Sequence, residues 1–407
     1  MHLRLWWRLA LVNLVVAAAL GVTLRLVYLV ELPITFRAWL HGHSHGAMLG
    51  WLFPALLGLG LLGVPLGPVQ RRWGLWLFAL NQLAVVGMFV AFPYQSYGPV
   101  SSAFSTLQVL VSYGFIALGW GTLGRLAGPA GAWWRTALVF LGVSTLGLWG
   151  VAGVVLSTHR SSELFVLAVQ FFLHYQFNGW FFFAAAALLL QWLTAQGIAL
   201  PRAGRLHRLW AVSAVATFAL AIVWSERATW VYVLNALAVL LQLYAGLQTW
   251  AAYRPVAPQM RARLSPLAYQ LLALAGAALL LKVGIQALVA VPPVAIMAFT
   301  LRNYVVGFIH LMMLGIFTVT LWAVALERGW LPTPARLLRW GAYTFAAGVV
   351  TTELLLFGQG TLFWAGLGKL PGYYSLLVAF SLLLLVGAAG VAIAAWGPHT
   401  KTPQPEG

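Results

Sequence analysis

Runs of about twenty apolar residues recur along almost the whole chain, and they restrict its possible folds more than any other feature. A run of this length lets one α-helix cross the hydrocarbon core of a bilayer. The sequence therefore predicts an all-α polytopic membrane bundle of about 12 transmembrane helices, forming a single transmembrane domain over residues 1–396 with a short disordered tail over 397–407. Numbered in chain order, the predicted spans lie near residues 9–31, 41–64, 73–94, 101–126, 135–157, 167–194, 209–224, 228–250, 266–291, 300–326, 338–358 and 374–396.

The composition agrees with this prediction and narrows the chemistry. Hydrophobic residues make up 62% of the 407 residues and charged residues only 7%, whereas a soluble domain carries roughly 25% charged residues. The chain has no Asp, six Glu and no Cys. The absence of Cys excludes disulfides, thiolate metal sites, iron–sulfur ligation and haem tethered through Cys. Imidazole is left as the main ligand chemistry, and any haem must be held non-covalently.

The 23 Lys and Arg residues indicate topology rather than a nucleic-acid partner, because they are spread thinly over many loops and form no basic patch. Sixteen of them fall on one side of the predicted membrane. Five fall on the other side: Arg37, Arg160, Arg227, Arg302 and Lys369. The positive-inside rule then places both termini, and with them the tail, in the cytoplasm.

Three charged residues fall inside predicted spans and away from the span ends. Arg25 lies in span 1, Lys282 in span 9 and Glu353 in span 11. An intramembrane charge is a candidate for function, although a residue near a span end can also extend its charge to the surface. Glu353 could pair with either cation.

The histidines carry the most information about function. His2, His159, His207 and His399 fall in termini or loops and are interpreted as solvated surface residues. The other five lie in spans 2, 6 and 10, which all run in the same direction, and each group lies in the first half of its span. These five are His41, His43, His45, His174 and His310. They are therefore predicted to lie at comparable depth in the membrane.

A repeat of four spans accompanies the histidines. Spans 2, 6 and 10 are four spans apart, and one histidine in each has a glycine five residues later. The pairs are His45 and Gly50, His174 and Gly179, and His310 and Gly315. This pattern predicts three four-helix units around a pseudo-threefold axis. At 100° per residue the glycine lies about 140° around an α-helix from its histidine, which suits close packing of a neighbour better than ligation.

The span plan and two segments resemble the haem–copper oxidase catalytic-subunit superfamily, which includes the nitric oxide reductases. The segment 43–51, His-Ser-His-Gly-Ala-Met-Leu-Gly-Trp, is similar to the His-x-His helices of that superfamily and of the NnrS family of haem- and copper-containing membrane proteins. The segment 310–321, His-Leu-Met-Met-Leu-Gly-Ile-Phe-Thr-Val-Thr-Leu, resembles their later ligand helix.

The resemblance implies a non-covalent, b-type haem held between spans 2 and 10. Its axial ligands would be His45, or His43, together with His310, while His174 matches the region that supplies a copper ligand. The implied function is the handling of electrons or of a diatomic gas, nitric oxide or oxygen. The implied setting is a bacterial or archaeal cytoplasmic membrane, with a cytochrome or another respiratory subunit as a partner.

The chain also departs from that superfamily. Span 7 has no His-His pair for copper, and position 308, where the superfamily carries a second haem ligand, is Phe308. If the chain is an enzyme, we expect an oxidoreductase with an incomplete copper site and weak or absent oxygen reduction. His41 and His43 could form an unusual copper or haem site with His174, since imidazole suits both metals. On a helix, however, His41 and His45 share a face and His43 points roughly 200° away.

Two groups beside His174, Tyr175 and Asn178, are candidates for hydrogen bonding to a ligand or its shell. Two other functions stay open. A haem-free secondary transporter of twelve spans would usually show two six-span halves, with broken helices or paired charges at the midplane. A structural subunit of a respiratory complex would need none of the histidines.

Overall fold

The computed structural model describes residues 2–157, 162–223, 228–332 and 336–397. It is 85% helical, and its described residues contain no strand. The predicted all-α membrane bundle is therefore confirmed. His159, His399 and all but the first residue of the predicted tail lie outside the described residues.

Eleven of the twelve predicted spans are long apolar helices. Their lengths run from 23 to 34 residues and their mean hydropathies from 1.3 to 2.7. In chain order they are spans 1 to 6 and 8 to 12: Arg4–Leu26, Phe36–Leu62, Pro68–Gln95, Pro99–Arg125, Pro129–Leu156, Ser162–Ala195, Thr229–Tyr253, Pro266–Leu288, Arg302–Glu327, Arg336–Trp364 and Tyr373–Trp396.

Span 7 is discontinuous. Its two helical pieces, Ala203–Ala216 and Ala219–Ile222, are separated by Thr217 and Phe218. The Thr217 hydroxyl donates to the carbonyl of Ser213 at 2.7 Å, a local bond that bends helices. The backbone N–H of Leu220 then bonds to Thr217, in the tighter i→i+3 pattern. A hydrophobic run that predicts one span therefore forms two helical pieces in the structure.

The chain forms two compact units, and spans 4, 9 and 10 each contribute residues to both. Unit 1 is Met1–Val111, Leu264–Leu272 and Met313–Gly407, and unit 2 is Ser112–Arg263 and Ala273–Met312. Within unit 1, span 12 packs against both span 11 and span 1. Glycines permit that packing, as at Gly387, where an added Cβ would meet the backbone of Phe345. Small residues of this kind let membrane helices approach closely.

The three histidine-bearing spans are the most buried. In spans 2, 6 and 10, 83% of the most apolar window is buried, against 33–50% in the other eight long spans. A helix that is apolar on all sides is expected in such a position.

A π-helical segment interrupts each of these same three spans. The segments are Gly46–Leu52, Tyr175–Phe181 and Leu311–Thr318. They begin directly after His45, His174 and His310. Helices of the π type are rare and occur mostly as single turns, frequently at functional sites. Three of them at matching positions support the four-span repeat independently of the glycine spacing, while the threefold arrangement itself stays a prediction.

Candidate functional site

In unit 1, His41 and His45 share an aromatic cluster with the end of span 3. Their ring centroids are 6.3 Å apart. His45 lies 4.6 Å from the ring of Phe92, and His41 lies 4.6 Å from the ring of Tyr97. Tyr97 stands in the turn after span 3 and is more than half exposed. Both histidine rings contact the same two aromatic side chains.

His43 points to the other side of span 2. Its Nδ1 donates to the carbonyl of Ala17 in span 1 at 2.7 Å. Its ring lies against Gly21, where an added Cβ would be 2.9 Å from the His43 Cε1 atom. The prediction that His41 and His45 share a face while His43 points away is confirmed.

Two of the histidines have the orientation of metal ligands. The Nδ1 of His45 lies 2.9 Å from the carbonyl oxygen of His41. Because a carbonyl only accepts hydrogen bonds, Nδ1 of His45 carries the proton and Nε2 presents a lone pair; the same holds for His43. Metal-ligating histidines are typically held through the other ring nitrogen in this way. Either residue would therefore hold a haem iron through Nε2.

Side-chain amides hold the π-helical segment of span 2. Asn13 in span 1 donates to the carbonyl of Gly50 and to Gln82 Oε1, each at 2.9 Å. Asn81 in span 3 donates to the carbonyl of Leu49 at 3.4 Å. Backbone groups inside a bilayer need partners, and neighbouring spans supply them here, which fixes the helix directly after His45.

Unit 1 also contains a direct bond between spans 2 and 10. The indole N–H of Trp51 donates to the hydroxyl of Thr318 at 2.8 Å, and that hydroxyl donates to the carbonyl of Met313 at 2.8 Å. Trp51 and Thr318 are at most 1% exposed. The two π-helical segments are therefore joined in the interior of unit 1. His310 belongs to unit 2, where it is half-buried and ends the first α-helical part of span 10.

His174 in unit 2 is anchored through the opposite ring nitrogen. Its Nε2 donates to the carbonyl of Ala214, in the first piece of span 7, at 2.7 Å. Its ring meets Tyr175 and Phe218 edge-on, with centroids 5.0 and 5.6 Å away. Only Nδ1 is left to bind a metal. The sequence could not indicate this, because the partner is a backbone carbonyl beside the break in span 7.

Lys282 is the centre of a buried polar cluster in unit 2. Its side chain is 3% exposed, and its Nζ donates to Asn178 Oδ1 at 2.9 Å and to Gln242 Oε1 at 2.7 Å. Asn178 belongs to the π-helical segment of span 6. The rings of Trp210 and Phe308 lie 6.0 and 5.9 Å from Nζ, at the limit of cation–π interaction. Phe308 thus faces this ammonium in unit 2.

Two of the three glycines that follow the histidines, Gly50 and Gly179, pack closely against neighbours, as predicted. An added Cβ at Gly50 would be 2.9 Å from Val85, and one at Gly179 would be 2.6 Å from Phe140. The predicted angle of 140° between each histidine and its glycine is wrong, however. The i→i+5 hydrogen bonding of a π-helix places the glycine about one full turn after the histidine, on nearly the same side of the helix.

A copper site needs several protein ligands close together. Nowhere in the described ranges do three His, Cys, Asp or Glu residues form a group that could hold a metal ion. His41 and His43, which the sequence offers as copper ligands together with His174, face different neighbours.

No protein-family model and no curated protein matches the chain. The functional assignment therefore rests on the chain's own residues. Sequence reasoning found the histidines and Lys282 but missed Asn13, Asn81, Gln82 and Gln242. Their signal was present, because an amide side chain within an apolar run requires a buried partner.

Proposed function

We propose that this chain is a haem-binding integral membrane protein, related in plan to the haem–copper oxidases and nitric oxide reductases, that handles electrons or a diatomic gas. One observation carries the proposal: in each of the three most buried spans, a histidine directly precedes a π-helical segment. Such segments are uncommon and concentrate at functional sites, and imidazole is the ligand type that the composition leaves available.

The haem would be held by His45 and His310, with His43 as the substitute in span 2. A bound haem supplies reversible one-electron chemistry and an iron that can bind nitric oxide or oxygen. The protein's part is to keep the imidazoles neutral, to orient Nε2 of His45 through the carbonyl of His41, and to exclude water with the surrounding apolar residues. His174, His41 and His43 form no three-ligand group in the described ranges, so the proposal includes no copper chemistry.

The proposed setting is the cytoplasmic membrane of a bacterium or archaeon, with both termini in the cytoplasm. A cytochrome or another respiratory subunit would exchange electrons with the haem. Any oxidoreductase activity is expected to be weak with oxygen, because the copper ligands are incomplete and position 308 is Phe308.

The visible spectrum of protein purified in mild detergent from haem-replete cells tests the proposal. We expect a Soret band, sharp α and β bands after reduction with dithionite, and complete extraction of the haem by acidified acetone. A colourless preparation of folded, full-length protein would refute the proposal.

Secondary transport is the second candidate, and two observations favour it. Span 7 is discontinuous, and Lys282 is a buried cation bonded to amides of two other spans. Broken helices and midplane charges are typical of transporters. A colourless protein that shows substrate-dependent uptake in liposomes, abolished by Lys282→Met, would favour this function over haem binding.

A further inference from the structure

Glu353 stands apart from the other glutamates that the structure describes. It lies inside span 11, Arg336–Trp364, and is 5% exposed. Eleven residues separate it from the end of the helix, which is about 17 Å at 1.5 Å per residue. Neither of its carboxylate oxygens has a hydrogen-bond partner among the described residues. A buried polar group in this state requires an explanation.

Glu327, in the same unit, shows the usual arrangement. It is half-buried at the last residue of span 10. Its Oε1 accepts hydrogen bonds from the backbone N–H of Ser265 at 3.0 Å and from the Ser265 hydroxyl at 2.7 Å. Its carboxylate therefore has the hydrogen-bond partners that a buried polar group needs, and Glu327 serves as the comparison for Glu353.

The charged group that faces Glu353 is Arg25 of span 1, which interacts with it electrostatically. The Arg25 guanidinium nevertheless donates to the hydroxyl of Ser381 in span 12, at 2.6 Å. Tyr373 of span 12 and His43 of span 2 also interact electrostatically with Arg25. Arg25 therefore places a positive charge near Glu353. Its hydrogen bond goes to Ser381, however, and not to the carboxylate oxygens of Glu353.

The protonation state of Glu353 depends on the free energy of burying its carboxyl group in the ionised and in the neutral form. An ionised carboxylate buried without donors costs several kcal/mol, and burial makes it take up a proton instead. The positive charge of Arg25 acts in the opposite direction and favours ionisation. A metal cation is a poor alternative occupant, because it needs several oxygen ligands and would be repelled by Arg25.

We propose that Glu353 is a proton-binding site within the bilayer: it is a neutral carboxylic acid at physiological pH because it is buried without hydrogen-bond donors among the described residues, and the charge of Arg25 opposes its protonation. Glu353 is not one of the proposed haem ligands, and its protonation does not depend on the proposed haem function.

Dicyclohexylcarbodiimide tests this site, because the apolar reagent reaches membrane interiors and adds to protonated carboxyl groups. We expect the folded protein, at about pH 7, to gain one reagent molecule on the peptide that contains Glu353 and none on the peptide that contains Glu327. Mass spectrometry of the wild-type chain gives this result directly. Glu353→Gln should abolish the labelling and Glu327→Gln should leave it unchanged.

The pH dependence tests the role of Arg25. Labelling of Glu353 should fall as the pH is raised and the carboxyl loses its proton. Arg25→Gln removes the charge that favours the ionised form, so the same fall should occur at higher pH, whereas Arg25→Lys should stay close to the wild type. An unchanged curve in Arg25→Gln would overturn the assignment of Arg25.

Infrared spectroscopy detects the protonated carboxyl group of Glu353 directly, whether or not a reagent can reach it. The C=O stretching band of a protonated carboxylic acid should be present in the wild type and in Glu327→Gln, should shift in deuterated water, and should be missing in Glu353→Gln. If neither the label nor the band is found at Glu353 in folded protein, the carboxyl is ionised and the proposal is wrong.

Discussion

The buried ammonium of Lys282 leads to a specific prediction about the stability of the protein. Gln242→Leu removes one of the two amide oxygens that accept hydrogen bonds from its ammonium, and we expect a loss of about 1.5–3 kcal/mol of unfolding free energy. Lys282→Met should itself be destabilising or neutral. The double variant should be more stable than the sum of the single effects predicts, by roughly 1–3 kcal/mol.

Unfolding in mixed detergent micelles, followed by tryptophan fluorescence, measures these differences. Gln270→Leu is the control, because Gln270 accepts its hydrogen bond from Tyr343 on the exposed surface. Its effect should add to that of Lys282→Met. Additive effects of Gln242→Leu and Lys282→Met would show that the two side chains do not interact.

At the scale of the element, the π-helical segment of span 6 depends on a close approach to span 5. Gly179→Ala would place a Cβ 2.6 Å from the Cβ of Phe140. We expect it to lower the free energy of unfolding by about 1–3 kcal/mol through overpacking. Gly284→Ala in span 9 is the matched control, since an added Cβ there meets nothing within 4 Å, and it should be neutral or stabilise by up to about 1 kcal/mol.

The melting temperatures of the two variants in the same detergent give the comparison. Equal stability of Gly179→Ala and the wild type would mean that spans 5 and 6 do not meet closely at this glycine.

Elements and site were predictable from the sequence to different degrees. Apolar runs located eleven spans, because length and hydropathy alone decide whether a helix can cross a bilayer. The break at Thr217 was not predicted, since residues 209–224 contain neither Gly nor Pro to mark it. The π-helical segments were not predicted either. The histidine and the glycine mark where they lie, but the rotation of 100° per residue that related the two residues holds only for an α-helix. The faces of His41, His43 and His45 were predicted correctly, because all three lie in the α-helical part of span 2.

For the whole molecule, the number of crossings decides where the termini lie. With span 7 crossing the membrane in its two pieces, twelve crossings place both termini on one side; with eleven they lie on opposite sides. The chain has no Cys, so a single introduced Cys gives an unambiguous signal. Gln196→Cys, after span 6, should react with a membrane-impermeant maleimide only after cell lysis, and Ala228→Cys, before span 8, should react in intact cells. Identical labelling of the two positions would show that span 7 does not cross.

If a haem is held by the histidines that precede the π-helical segments, His310→Ala should change its spectrum. Span 10 contains no other histidine, whereas His43 could substitute for His45 in span 2. The optical and electron paramagnetic resonance spectra of the purified variant should lose the six-coordinate low-spin signal or convert it to a five-coordinate one. His207→Ala, in which a histidine bonded to Thr136 is removed, should keep the wild-type spectrum. An unaltered six-coordinate spectrum in His310→Ala would show that His310 is not a haem ligand, even if the protein contains haem.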